Sequence, residues 1–187
     1  MAKLETTALG IADVKIIRPS KQADARGFFS ETYNLREFAA VGLKTPFVQD
    51  NHSLSARVGT LRGLHYQSPP FAQDKLVRVV RGRIFDVALD IRKSSPSFGQ
   101  HVTAEISADD WNQIFIPVGF AHGFVTLEPD TEVVYKVTSY YAREHDHGIL
   151  WNDPALRIDW PVEQANATVS EKDRANPALA DAVSLFP

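Results

Sequence analysis

The run Lys75–Arg92, KLVRVVRGRIFDVALDIR, constrains the fold more than any other stretch of the chain. Apolar and polar residues alternate along it. As a strand this puts Phe85, Val87, Leu89 and Ile91 on one face and Asp86, Asp90 and Arg92 on the other. Gly82 interrupts the run and marks a turn or bend. Further β-rich runs follow at His101–Ser107, Asn112–Pro117, Gly123–Glu128 and Thr131–Tyr141. Between them stand the turn signals Ser95-Pro96-Ser97, Pro117-Val118-Gly119 and Glu128-Pro129-Asp130. Short strands spaced roughly ten residues apart predict a mainly β sandwich, jelly roll or barrel. Helix signals are sparse: Asn34 can cap a short helix through Ala40 ended by Gly42, and Pro177–Ser184 can form another.

The 187 residues contain no repeat, low-complexity tract or flexible linker, so one domain covering 1–187 is expected. Net charge is −3, which excludes the broad cationic surface of a nucleic-acid or anionic-membrane binder but not a local basic pocket. The absence of Cys excludes disulfides, zinc–thiolate sites and cysteine nucleophiles. It also fits a reducing compartment. No apolar stretch approaches a membrane span, and Met1-Ala2-Lys3-Leu4-Glu5 lacks a signal peptide's apolar block, so a cytoplasmic protein is expected.

Six histidines remain to be explained. His65 lies in Gly59-Thr60-Leu61-Arg62-Gly63-Leu64-His65-Tyr66-Gln67, where two glycines let the backbone approach a ligand or another strand. His122 lies in Ile116-Pro117-Val118-Gly119-Phe120-Ala121-His122-Gly123-Phe124, a Pro-x-Gly-x-x-His pattern that resembles the second motif of the cupins. A metal cupin needs a second His two residues after the first, then a Glu. Here that place is Gln67, and no Glu follows His65 until Glu105. Two of four ligands are missing, so no metal is expected and both histidines are free for acid–base or hydrogen-bonding work.

Arg26, Arg62, Lys75 and Arg78 form a basic set that suits either solvated strand edges or an anion pocket, since Arg forks grip phosphate bidentately. Phe28 and Phe29 after Arg26 suit the core or stacking on a base. Tyr135 shares the face of Val133 and Val137, where a phenol is either packed or a proton donor. Ser170-Glu171-Lys172-Asp173 reads as a helix start, and Asp173 can orient a histidine.

Taken in order, these segments resemble the dTDP-4-dehydrorhamnose 3,5-epimerase family of nucleotide-sugar enzymes over about residues 10–180. The resemblance rests on Asp24–Phe29, Phe47–Ser53, Leu61–Gln67, Lys75–Arg78, Phe85–Arg92, Ile116–Phe124, Tyr135-Lys136, Ile149–Pro154 and Ser170–Asp173. It implies a cupin-like jelly-roll β-barrel with a few short peripheral helices, a homodimer, a dTDP-sugar substrate and no cofactor. It also implies that His65 is the base, Asp173 its orienting partner, Tyr135 the opposed acid, and that Lys75 and His122 lie near the keto group. Arg26, Glu31, Gln49, Asn51, Arg62 and Lys172 match nucleotide- and substrate-binding positions, and Phe28 and Tyr140 match ring-stacking ones. A loop carboxylate matches Asp146 or Glu144, with Asp146 favoured, while His145 and His147 are expected to face solvent, and His52 and His101 carry no role.

The activity implied is inversion at C3 and C5 of a 4-keto-6-deoxy sugar, leading toward dTDP-L-rhamnose. The alternatives are an epimerase of the same fold that inverts one carbon only or uses another nucleotide, a non-catalytic sugar-nucleotide binder, and a metal-dependent cupin oxygenase. The last is disfavoured by Gln67 and the missing Glu.

Overall fold

The computed structural model describes residues 4–187 and is built almost wholly of antiparallel strands. In chain order these are β1 (Leu4–Ala8), β2 (Lys15–Pro19), β3 (Gln22–Asp24), β4 (Gly27–Phe29), β5 (Gln49–Ser55), β6 (Thr60–Gln67) and β7 (Lys75–Arg81). They continue with β8 (Arg83–Asp90), β9 (His101–Ser107), β10 (Gln113–Ile116), β11 (Phe120–Thr126), β12 (Thr131–Val137), β13 (Asp146–Gly148) and β14 (Thr168–Val169). One large sheet has the order β1-β2-β10-β7-β12-β5, and the other β13-β6-β11-β8-β9 with β14 parallel to β6. β3 and β4 form a separate hairpin. Among the described residues no ladder joins the two large sheets, so the expected jelly-roll barrel is an open two-sheet sandwich.

Alternation decides what lies between the sheets. Val77, Val79, Ile114, Ile116 and Val133 from the first meet Ile84, Ala88, Val102, Ile106, Phe120 and Phe124 from the second. The Phe85–Ile91 face is also buried, but on the outside of the second sheet. There Val87, Leu89 and Ile91 are covered by the C-terminal segment through Ile149, Leu156 and Phe186. The opposite face of β8 therefore points inward, and Asp86 on it is wholly buried. Leu76, Ile17 and Phe115 on the outside of the first sheet are covered by Phe38 and Leu43.

Helix α1 (Leu35–Ala40) begins where Asn34 accepts a hydrogen bond from the Arg36 N–H at 3.0 Å, and Gly42 follows with φ +92°. Helix α2 (Glu171–Arg174) is capped by Ser170, whose Oγ accepts from the Asp173 N–H at 3.1 Å. The helix expected over Pro177–Ser184 is only a 3-10 turn at Leu179–Asp181. Its residues serve instead as an extended cover: Leu179, Ala182 and Leu185 pack on the second sheet, and the Val183 carbonyl accepts from Tyr66 Oη at 2.6 Å. β12 stops at Val137 rather than Tyr141, because Thr138 and Ser139 are held by the Asp74 N–H and Gln73.

β6 and β11 approach unusually closely. A methyl group on Gly123 would stand 2.8 Å from the Arg62 carbonyl oxygen and 2.9 Å from Leu64 Cδ2. Gly123→Ala is therefore expected to cost about 1–3 kcal/mol, read as a lower urea-unfolding midpoint. An unchanged midpoint would show that the two strands can part.

Candidate active site

A cleft of about 560 Å³ opens between the sheets, lined by Lys75 and Tyr135 from the first sheet and by Arg62, His65 and His122 from the second. Asp146 of β13 and Lys172 and Asp173 of α2 complete it. Residues from six separate elements meet there, which accounts for their scatter through the chain.

His65 Nε2 lies 2.7 Å from Asp173 Oδ1, and Asp173 Oδ2 accepts from the Gly63 N–H at 3.2 Å. Burial raises the Asp173 pKa, but the bonds from His65 and Gly63 outweigh it and hold the carboxyl below its ordinary range. Asp173 is thus anionic, and the His65 ring it holds reaches the cleft at 32% side-chain exposure. Tyr135 approaches from the other sheet. Burial pushes its phenol up, so it carries its proton at neutral pH. Lys75 donates to the His65 carbonyl at 3.1 Å. Its burial depresses the ammonium to about 8, against the opposing pull of Asp146 and Asp86. His122 Nε2 lies 2.8 Å from Asp86 Oδ2, both side chains being buried.

At the mouth, Asp146 Oδ2 receives Lys172 Nζ at 2.5 Å and Tyr141 Oη at 3.1 Å. Asp146 thus faces the cleft, whereas Glu144 is exposed and outside it. Tyr140 is 66% exposed and does not line the cleft; Tyr141 does. Gln49 accepts from the Tyr141 N–H at 3.0 Å and donates to Asn51 Oδ1 at 2.9 Å, which puts both residues in supporting positions. Gln67 occupies the cupin ligand place but pins the loop: its Oε1 accepts from the Ala142 N–H, and its Nε2 donates to the Phe71 and Tyr140 carbonyls. Among the described residues no group of three or more His, Asp or Glu converges to hold a metal.

Several expected residues lie elsewhere. Arg26, Phe28 and Glu31 belong to the β3–β4 hairpin and its exit, and none lines the cleft. Arg26 is paired with Asp24 at 2.6 Å in solvent, and Phe28 rests edge-on against Trp111 with Lys21 Nζ over its ring. Arg78 also fails to join Lys75. An odd spacing along β7 puts the two on opposite faces. His145 and His147 are half-buried rather than solvent-facing, and both nitrogens meet Ser68 Oγ, at 2.9 and 3.2 Å. Asp86 and Tyr141 carry no role in the sequence analysis. Alternation puts Asp86 on the polar face of its strand without saying which face is inside, and Tyr141 differs from Tyr140 only by the parity of a loop.

Comparison with known proteins bears on this geometry directly. The model of the dTDP-4-dehydrorhamnose 3,5-epimerase family matches residues 8–181. The chain belongs to the dTDP-4-dehydrorhamnose 3,5-epimerase family. This makes it an enzyme of the epimerase class. A Pseudomonas aeruginosa dTDP-4-dehydrorhamnose 3,5-epimerase is 53% identical, covering 98% of this chain and 100% of the relative. The crystal structure of the Legionella pneumophila dTDP-6-deoxy-D-glucose-3,5-epimerase in complex with dTDP-4-keto-L-rhamnose is 43% identical. It superposes with a TM-score of 0.92 over 98% of this chain and 97% of that one. A 3'-monoepimerase from Streptomyces bikiniensis in complex with dTDP-quinovose is 33% identical, with a TM-score of 0.85 over 92% of this chain and 87% of that one. Among the described residues of this family member, no helix is long and apolar enough to cross a membrane.

The Lys75 ammonium is held in the cleft against its own desolvation. Its pKa falls from 10.5 in the unfolded chain to about 8 in the folded one, so the penalty is full below pH 8 and fades as pH rises toward 10.5. Lys75→Met is expected to raise stability at pH 7 by about 1–3 kcal/mol, with the gain shrinking above pH 8. Urea unfolding at pH 7 and pH 9.5 measures this. A variant less stable at both would mean that the amine is not strained.

Proposed function

We propose that this family member removes and replaces the protons at C3 and C5 of dTDP-4-dehydro-6-deoxy-D-glucose, giving dTDP-4-dehydro-L-rhamnose in dTDP-L-rhamnose biosynthesis. The observation that carries this reading is the opposition of the Asp173-bound His65 on one sheet and the protonated Tyr135 on the other, across a single cleft. Both carbons are α to the C4 ketone, so loss of either proton gives an enolate. Inversion needs a base on one face and an acid on the other, because a single group returning its own proton restores the starting centre. In our reading His65 takes the proton, Asp173 fixes its ring and balances the imidazolium, and Tyr135 delivers a proton from the far side. Lys75 stabilises the enolate oxygen, a task worth roughly 10²–10³-fold in rate. Arg62 and Lys172 supply the positive charge for the diphosphate. The ketone itself acidifies both carbons, so the reaction needs no cofactor.

We also propose that the chain, one domain in itself, works as a homodimer. β5 ends its sheet with its outer edge unpaired among the described residues, and the separate β3–β4 hairpin holds Phe28 and Phe29 at 55% and 67% exposure. A second copy that brings its hairpin to this cleft would supply Arg26, Phe28 and Glu31, which one chain alone keeps away from it.

Incubation with the 4-keto sugar nucleotide in D₂O tests the chemistry. Deuterium is expected at both C3 and C5. Incorporation at one carbon would favour single-site inversion, the activity named for the S. bikiniensis relative, and incorporation at neither would overturn the proposal. His65→Ala should lower exchange at both carbons by about 10²–10⁴-fold, while Tyr135→Phe should impair inversion more than proton loss. Mixing subunits tests the dimer. Arg26→Ala and His65→Ala proteins, each feeble alone, should recover activity when refolded together, because one site in each hybrid is then intact. No recovery would mean that each cleft is completed within its own chain.

A further inference from the structure

Asp86 is a buried carboxylate that the proton transfers above do not use. It projects from β8 into the space between the sheets and is wholly buried. Its Oδ2 accepts from His122 Nε2 at 2.8 Å, but its Oδ1, equally buried, has no hydrogen-bond partner among the described residues. A carboxylate satisfied on both oxygens spends its charge on its donors. One left half-satisfied in a low-dielectric interior exerts an uncompensated field on the cations around it.

Lys75 is the buried cation within that field, on β7 of the facing sheet. The titratable groups lining the cleft around it are Arg62, His65 and Tyr66 of β6, His122 of β11, Tyr135 of β12, Tyr141 of the loop before β13, Asp146 of β13, and Lys172 and Asp173 of α2. The other two carboxylates are engaged: Asp173 with His65 and Gly63, Asp146 with Lys172 and Tyr141. Of the three, Asp86 alone keeps a buried oxygen without a partner.

We propose that Asp86 is a positioning residue of the epimerase site, holding His122 through its Nε2–H and supplying the buried counter-charge that keeps the Lys75 ammonium protonated opposite the substrate's keto oxygen. The inference rests on the epimerase reading for the keto oxygen, while the pairing with His122 stands on the 2.8 Å contact and the counter-charge on the burial of Asp86 and Lys75 between the same two sheets. Burial drives the Lys75 amine down to about 8, and Asp146 and Asp86 are the charges that resist it. Burial also lowers the His122 pKa, with Asp86 opposing and Lys75 and His65 adding to the fall. His122 is accordingly neutral at pH 7.5, donates Nε2–H to Asp86 and keeps Nδ1 as its acceptor nitrogen. The ammonium of Lys75, rather than His122, is then the donor for the enolate oxygen.

The sign of the effect follows. Removing the negative charge at 86 makes Lys75 lose its proton at lower pH. Asp86→Asn keeps an oxygen able to accept from His122 and removes only the charge. The alkaline limb of its kcat profile between pH 6 and 9 should move down by about one pH unit, so that kcat falls about four-fold more at pH 8 than at pH 6.5, with KM little changed. A drop that is uniform across pH, or no drop, would overturn the proposal. Two NMR measurements need no turnover. In ¹⁵N-lysine-labelled Asp86→Asn protein the Lys75 titration should lie below its wild-type position, and an unmoved titration counts against the counter-charge. In ¹⁵N-histidine-labelled wild-type protein at pH 7.5, His122 should be the neutral Nε2–H tautomer; the Nδ1–H form or an imidazolium would overturn the assignment even if the variant does not fold. Wild-type protein that fails to exchange in D₂O while both NMR results hold would remove the epimerase reading and leave the Asp86 pairing intact.

Discussion

The Asp173 carboxylate ties the active site to the architecture. It comes from a single-turn helix near the C-terminus and accepts from both the His65 ring and the Gly63 N–H, across 108 and 110 residues of chain. For it to arrive there, the C-terminal segment must lie along the outer face of the second sheet. That placement in turn depends on the apolar row of Val87, Leu89 and Ile91 being available to cover. The cover over the sheet and the partner of the His65 ring are thus one piece of chain. Ser170 completes the arrangement by capping α2 and fixing the rotation that buries Asp173 while leaving Lys172 beside Asp146.

The interior of the cleft trades stability for charge. A sandwich core filled with Val and Ile needs no ammonium, no imidazole and no carboxylate, yet Lys75, His122 and Asp86 are buried beside it. Such groups are tolerated when each is partnered, and each imidazole here has its own carboxylate: His65 with Asp173, His122 with Asp86. Lys75 has only a carbonyl, and its depressed pKa is the physical trace of that incomplete compensation. An ammonium held in this state gains most when negative charge develops in front of it, as on an enolate oxygen.

How much of this could be read in the residues depended on the kind of signal. Alternation marked β7 to β9 and β12, and caps marked α1 and α2, because these elements form one apolar face or one terminal hydrogen bond within a few residues. β5, QDNHSLS, carries almost no apolar signal, since it is an edge strand whose inward side gives Ser53 to the cleft and ties Gln49 to Asn51 and the Tyr141 backbone. Tyr135 was legible from its valine neighbours. Asp86 was not, because alternation tells that two faces differ but not which is inside, and β8 is buried on both. Pro177–Ser184 carries helical spacing that tertiary contact overrides. Tyr66 and the second sheet draw it out as an extended cover. The resemblance to a family brought Arg26, Phe28 and Glu31 onto the roll of binding residues, and a single chain does not bring them to the cleft.

The cupin likeness and the absence of its ligand pattern have one physical explanation. A metal site needs imidazole lone pairs to converge on a point, with a carboxylate among them. Here each of the two interior histidines turns its Nε2 toward a separate carboxylate. The place of the third imidazole holds Gln67, whose amide is spent on the backbone of the loop that carries Tyr141 and Asp146. Dispersing the carboxylates to individual histidines converts a chelating geometry into two separately polarised rings. One of them faces a phenol on the other sheet across the cleft, the pair on which the proposed proton transfers rest. On the proposed reading, a scaffold of this kind passes from ligating metal to moving protons by relocating carboxylates, while the strands that present its histidines stay where they are.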